Sequence, residues 1–308
     1  MLTTFLIALG VVATMLLYAM PGFLLIKTNV VRKDQISAFA KLLMYVCSPC
    51  LVFNSLTRNV FSWGLVKEMA IAFVFITSAF LIGLITFFFV FKKKSDDVKY
   101  RIYNIATTLA NCAFMGVPVL EAIFPDYPQA IAFSAMASLA LNILGWSVGS
   151  FIISRDAKYI RIRKILINPA TIALIVAIPF FAFSIEIPSL INNMISLLAR
   201  MTTPLCMLIM GMRLACASLK KVFFVPSQYL IVAIKQIVFP LVSFLILLLL
   251  PLDERMKASI YILMACPVAS VVLSFSEMIG EGQENASCLV LLGTMLSAIT
   301  IPVMTLLI

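Results

Sequence analysis

The fold class the sequence predicts is an all-α membrane protein, with ten transmembrane helices as two inverted five-helix repeats and broken, crossing helices 4 and 9. Three observations lead there. Of 308 residues, 63% are hydrophobic and only 12% charged, and the mean hydropathy is +1.12, beyond what a soluble domain carries. Lys and Arg cluster in alternate connections between apolar runs. Two of those runs, the fourth and the ninth, carry helix-breaking chemistry in their interiors.

The runs are bounded by charge, Pro or Gly and fall at 3–26, 35–57, 65–91, 100–122, 129–153, 168–185, 188–213, 225–250, 255–280 and 284–307. A helix crosses a hydrocarbon core of about 30 Å with about 20 residues, so ten spans leave only short loops. The first run lacks the basic leader and short apolar core of a cleaved signal and is expected to remain. Counted from the first loop, alternate connections hold 16 Lys and Arg and the others hold 4. The positive-inside rule then places the rich set in the cytoplasm and both termini outside, in a plasma membrane, the inner membrane if the source is bacterial.

An odd number of helices per half forces opposite orientation on the halves. Residues 1–153 form the first repeat, 154–167 a short cytoplasmic linker and 168–308 the second, inverted repeat. Aligning Pro49 with Pro204 pairs Ile36 with Ile191, Leu42 with Leu197 and Leu43 with Leu198. The prolines Pro118 and Pro267 follow at similar distances.

Function is expected where the helices break. Asn111-Cys112-Ala113-Phe114-Met115-Gly116-Val117-Pro118 in the fourth run and Ala265-Cys266-Pro267-Val268-Ala269-Ser270 in the ninth are the two places. If both open, half-helix N-termini meet near the midplane and offer N–H groups and positive dipole ends to an anion. Substrate-binding candidates are Asn111, Gly116, Pro118, Pro267, Ser270 and Lys235. Candidates for charge balance or coupling are Glu277, Arg200, Gln236 and Asn142. Arg200 lies 12 residues from Pro188, about 18 Å deep by the helical rise, and Lys235 lies similarly deep. For Lys235 the structural alternative is a pairing with Glu277 or with carbonyls freed at the breaks. Lys41, nearer a helix end, can snorkel. Asn142, Gln236, Ser134 and Ser138 can equally serve as ordinary interhelical contacts.

Several functions are excluded. The chain has no His, no paired carboxylates at mid-depth and no phosphate-binding Gly loop, so neither enzyme chemistry, a metal nor another cofactor is expected. Its seven cysteines read as small apolar residues. Its charge of +10 sits in scattered loop clusters, which argues for topology rather than nucleic-acid binding.

These residues resemble the auxin efflux carrier family of membrane permeases along nearly the whole chain. Asn111-x3-Met115-Gly116-Val117-Pro118-Val119-Leu120 is similar to the family signature in helix 4. Ala265-x-Pro267, Phe275, Glu277, Gly293-Thr294-Met295 and Pro302 resemble helices 9 and 10. Arg163-Lys164-Ile165-Leu166-Ile167-Asn168-Pro169 resembles the basic entry to helix 6, and Lys235-x4-Pro240 a basic residue preceding Pro in helix 8. The resemblance implies a fold similar to bile-acid sodium symporters, with the substrate site at the crossing of helices 4 and 9. It also implies a commonly dimeric scaffold of helices 1, 2, 6 and 7, against which the other helices move as an elevator. Plant members that move auxin carry a long hydrophilic loop after helix 5. The short basic segment 154–167 instead resembles compact microbial members, which implies small organic anions such as malate or malonate.

The function expected is a secondary active transporter of small organic carboxylates, working as a homodimer in the bilayer. Its alternatives are a sodium-coupled symporter of organic anions, a non-transporting receptor or sensor for a similar ligand, and an anion channel.

Overall fold

A computed structural model describes residues 2–156, 158 and 167–308. Seven helices in it are long and apolar enough to cross a membrane: α1 (Leu2–Lys27), α2 (Lys33–Thr57), α3 (Trp63–Lys94), α6 (Gln129–Ser154), α8 (Ser189–Cys216), α10 (Pro226–Leu248) and α13 (Gln283–Leu307). The run expected at 168–185 forms the shorter α7 (Pro169–Ala182). The fourth and ninth runs each form two pieces. They are α4 (Val98–Ala106) with α5 (Cys112–Ile123), and α11 (Glu254–Ala265) with α12 (Val271–Ile279). A short α9 (Leu219–Phe223) links α8 to α10. The basic residues Arg161, Arg163 and Lys164 lie outside the described residues.

Local chemistry sets the helix starts. Ser62 accepts from the Leu65 N–H, Asp97 from that of Lys99, Asn168 from that of Ala170, and Asp253 from those of Arg255 and Met256. Each cap satisfies an N–H that has no partner within its own helix. Pro49, Pro118 and Pro240 each follow a five-residue π turn, at Leu43–Cys47, Cys112–Gly116 and Ile234–Val238. A proline ring clashes with the carbonyl one turn back, and the wider π turn makes room for it without ending the helix.

Loop contacts sort the two ends of the molecule. At the basic end Arg155 pairs with Asp96 at 2.7 Å, Lys221 with Glu284 at 2.7 Å and Arg101 with Glu281 at 3.6 Å. At the opposite end Arg58 pairs with Glu121 at 2.8 Å, and Arg255 lies over the Tyr127 ring.

The second half of α1 lies against α8, which also packs on α2, while α7 packs on α2. Two glycines permit the α1–α8 approach: a Cβ on Gly22 would collide with the Leu208 carbonyl, and one on Gly211 with that of Ala19. Small residues at such a crossing let backbones meet where lipid offers no competing hydrophobic drive. Away from this panel α3 packs on α6, α10 on α11, and α12 on α13. The seven cysteines are all free.

Candidate functional site

The site is built where the interruptions of the two broken runs meet. Cys266 turns to an extended backbone and ends α11, and Pro267 has no N–H with which to continue the helix. Residues 107–111 leave the helix as well. The two stretches run antiparallel, with Ala110 bridged to Val268. The Asn111 N–H donates to the Pro267 carbonyl at 2.8 Å, and the Ala269 N–H donates to the Leu109 carbonyl at 3.0 Å. Backbone groups that lack helical partners thus satisfy one another, as a buried interior requires.

Side chains close the two helix ends that point into this junction. Lys235, wholly buried on the π turn of α10, donates from Nζ to the Met264 carbonyl at 2.8 Å and lies 5.0 Å from the centre of the Phe239 ring. Its cation therefore meets the negative end of α11. At the end of α4, the Thr107 hydroxyl donates to the Asn104 carbonyl at 2.7 Å.

The other two helix ends, the starts of α5 and α12, border a cavity of about 180 Å³ lined by residues of both. Asn111, Ser138, Asn142, Ser270, Ser274 and Arg213 supply its polar wall, and Phe114, Trp146 and Leu291 supply apolar wall. Asn111 is 5% exposed, and its side-chain amide has no protein partner among the described residues. Arg213, near the basic end of α8, brings a cation with a side chain 24% exposed, 3.7 Å from Glu277. Asn168 donates to the Asn142 side-chain oxygen at 3.3 Å beside the same space. Open amide and hydroxyl groups, two helix N-termini and a guanidinium on a largely apolar wall suit a small anion.

The structure divides the residues singled out from sequence into three places. Asn111, Ser270 and Asn142 line the cavity. Lys235, Gln236, Gly116 and Pro267 build the junction behind it. Gln236 donates to the Gly293 carbonyl at 2.6 Å and accepts from Thr300 at 2.7 Å, fixing α10 to α13. A Cβ on Gly116 would stand 2.7 Å from a Leu263 methyl, so glycine there lets α5 approach α11. Pro118 and Arg200 line a separate groove of about 350 Å³ at the opposite end, together with Arg58 and Glu121.

The break in the fourth run lies at 107–111, upstream of the 111–118 stretch the sequence suggested. Pro118 does not open the helix, because the π turn absorbs its ring and Thr203 of α8 donates to the Phe114 carbonyl at 3.1 Å, the acceptor that Pro118 cannot serve. Of the two structural partners expected for Lys235, a carbonyl freed at a break is the one found. Glu277 faces Arg213 instead. Arg213, Ser274 and Asn168 were missed in the sequence; Arg213 reads there as one more cation at a basic loop.

The profile of the membrane transport protein family matches residues 7–305, nearly the whole chain. The chain belongs to the auxin efflux carrier family of membrane transport proteins. It is accordingly a multi-pass membrane transporter. Among curated proteins no match to the chain is found.

Proposed function

We propose that the chain is a secondary active transporter of small organic carboxylates, binding them in the cavity beside the crossed helix breaks. The observation that carries this reading is the Asn111 side-chain amide, without a partner among the described residues, set between the starts of α5 and α12 in a cavity that Arg213 also lines. A carboxylate would accept hydrogen bonds from Asn111, Ser270 and the first-turn N–H groups of Ala113, Phe114 and Val271, those of Cys112, Val272 and Leu273 already being donated to nearby carbonyls, and Arg213 would balance its charge. Lys235 would hold the α11 end in place and act on the anion through the junction rather than by contact.

In this reading the ten spans form two inverted five-helix repeats with both termini outside the cell, so the cavity faces the cytoplasm. The glycine-tight α1–α8 pair, with α2 and α7, would be the fixed scaffold of an elevator, with a second copy of the chain against it. The crossed breaks with α3, α6, α10 and α13 would carry the substrate.

The test is uptake by proteoliposomes of labelled malate, malonate, succinate and indole-3-acetate, with pH and Na⁺ gradients imposed separately. Saturable uptake of one acid with trans-stimulation is the expected result. Ligand binding without uptake would show a receptor, and unsaturable current a channel.

A further inference from the structure

Arg58 and Arg213 occupy matching places at opposite ends of the molecule. Each lies nine residues beyond one of the two prolines, Pro49 and Pro204, that align the halves of the sequence. Arg58 follows the last turn of α2, and Arg213 sits in the last turn of α8. Each faces a glutamate two residues before the end of a half-helix that leaves the crossing, Glu121 on α5 and Glu277 on α12. Each arginine also borders the open space on its own side, Arg213 the cavity and Arg58 the groove.

The two pairs differ in one respect. Arg58 and Glu121 are in contact at 2.8 Å at the groove, whereas Arg213 and Glu277 are separated by 3.7 Å beside the cavity that Asn111 faces. The pair is tight at the end remote from Asn111 and loosened at the end the cavity serves. Arg213 presents a donor fork that a carboxylate can take in bidentate fashion, and Glu277 stands only 3.7 Å from it, so a carboxylate entering the cavity competes with Glu277 for Arg213.

We infer that the two Arg–Glu pairs are equivalent latches that close in alternation, each arginine being the carboxylate-recruiting residue of its own face and masked by its glutamate when that face is shut. This rests on the organic-anion reading for the ligand, while the latching itself rests on geometry alone. Arg58–Glu121 ties α2 to α5 in the present state, in which the groove lining includes none of residues 107–111 or 265–270. Arg213–Glu277 shuts the cavity end after the crossing moves.

The experiment uses the full chain in proteoliposomes with two reporter cysteines, Val117→Cys in the groove and Ser274→Cys in the cavity, labelled by an impermeant maleimide from each side. Labelling is read peptide by peptide, so the native cysteines stay in place. Glu121→Gln is expected to speed labelling of the groove reporter and slow that of the cavity reporter by about two- to fivefold, the reach of an exposed ion pair on an equilibrium. Glu277→Gln is expected to shift both in the opposite sense, and the swap Arg58→Glu with Glu121→Arg to restore the original rates.

Unchanged rates in both glutamate variants, shifts in the same sense, or a swap that fails to restore them would overturn the latches. Malonate as probe should protect the cavity reporter, and Arg213→Gln should remove that protection. Opposed shifts without malonate protection in any form would retain the latches and reject the carboxylate ligand.

Discussion

The two breaks that meet at the crossing are made by different means. Between α11 and α12 the chain carries Pro267, which ends a helix by its own covalent structure. Between α4 and α5 it carries Thr107-Thr108-Leu109-Ala110-Asn111, with neither Gly nor Pro. That second break is held from outside, by the Ala269 N–H and the Pro267 carbonyl that pair with Leu109 and Asn111. One break is thus encoded locally and the other by its partner, 158 residues away in sequence between Ala110 and Val268.

The comparison can be broken most forcefully at Lys235. Lys235→Met leaves the Met264 carbonyl buried without a donor and removes a cation from the α11 end, and should cost about 2 kcal/mol of stability, seen as a lowered melting temperature in detergent. A change near zero would mean that α11 ends without help from α10. Thr107→Val removes the hydroxyl that serves Asn104 and should cost about 1 kcal/mol by the same measurement. That smaller loss would fit a break held chiefly by its partner, and a larger one would assign more of it to Thr107.

Pro267→Ala gives the sharpest contrast for the smallest expected change, about 0.5 kcal/mol from the freedom that Pro withholds from the unfolded chain. The substituted residue gains an N–H, but the bonds across the crossing remain available. Hydrogen exchange at the Asn111 backbone N–H should therefore stay slow. Fast exchange there would show that Pro267 alone keeps both breaks open and that the pairing merely follows.

The same contrast explains what could be read from the sequence. Spans appear as apolar length. Pro267 announces its break. Pro118 misleads, because whether a proline opens a helix or is absorbed by a π turn depends on Thr203 from another helix. The break at 107–111 has no local signal, since its hydrogen-bond partners come from the stretch between α11 and α12.

Site residues divide the same way. Asn111 is legible as an amide beside Gly and Pro in an apolar run. Arg213 and Arg58 are not, because at the edge of a loop a cation that orients a helix and one that faces a carboxylate look alike. Their partners Glu277 and Glu121 lie on other segments 64 and 63 residues away. The basic-to-opposite asymmetry of the loops reads directly from composition, whereas the pairing that distinguishes the two faces requires the fold.

The central claim is that the cavity beside the crossed breaks binds small organic anions through Asn111. Its most direct test is equilibrium binding of labelled malate, malonate and succinate to the purified chain and to Asn111→Ala. Because the Asn111 amide has no protein partner among the described residues, the variant should keep its melting temperature. The account predicts saturable binding of one of these acids by the native chain, and loss of that binding by at least about tenfold in the variant, equivalent to about 1.4 kcal/mol. Equal affinity in the two proteins would place the site elsewhere and contradict it.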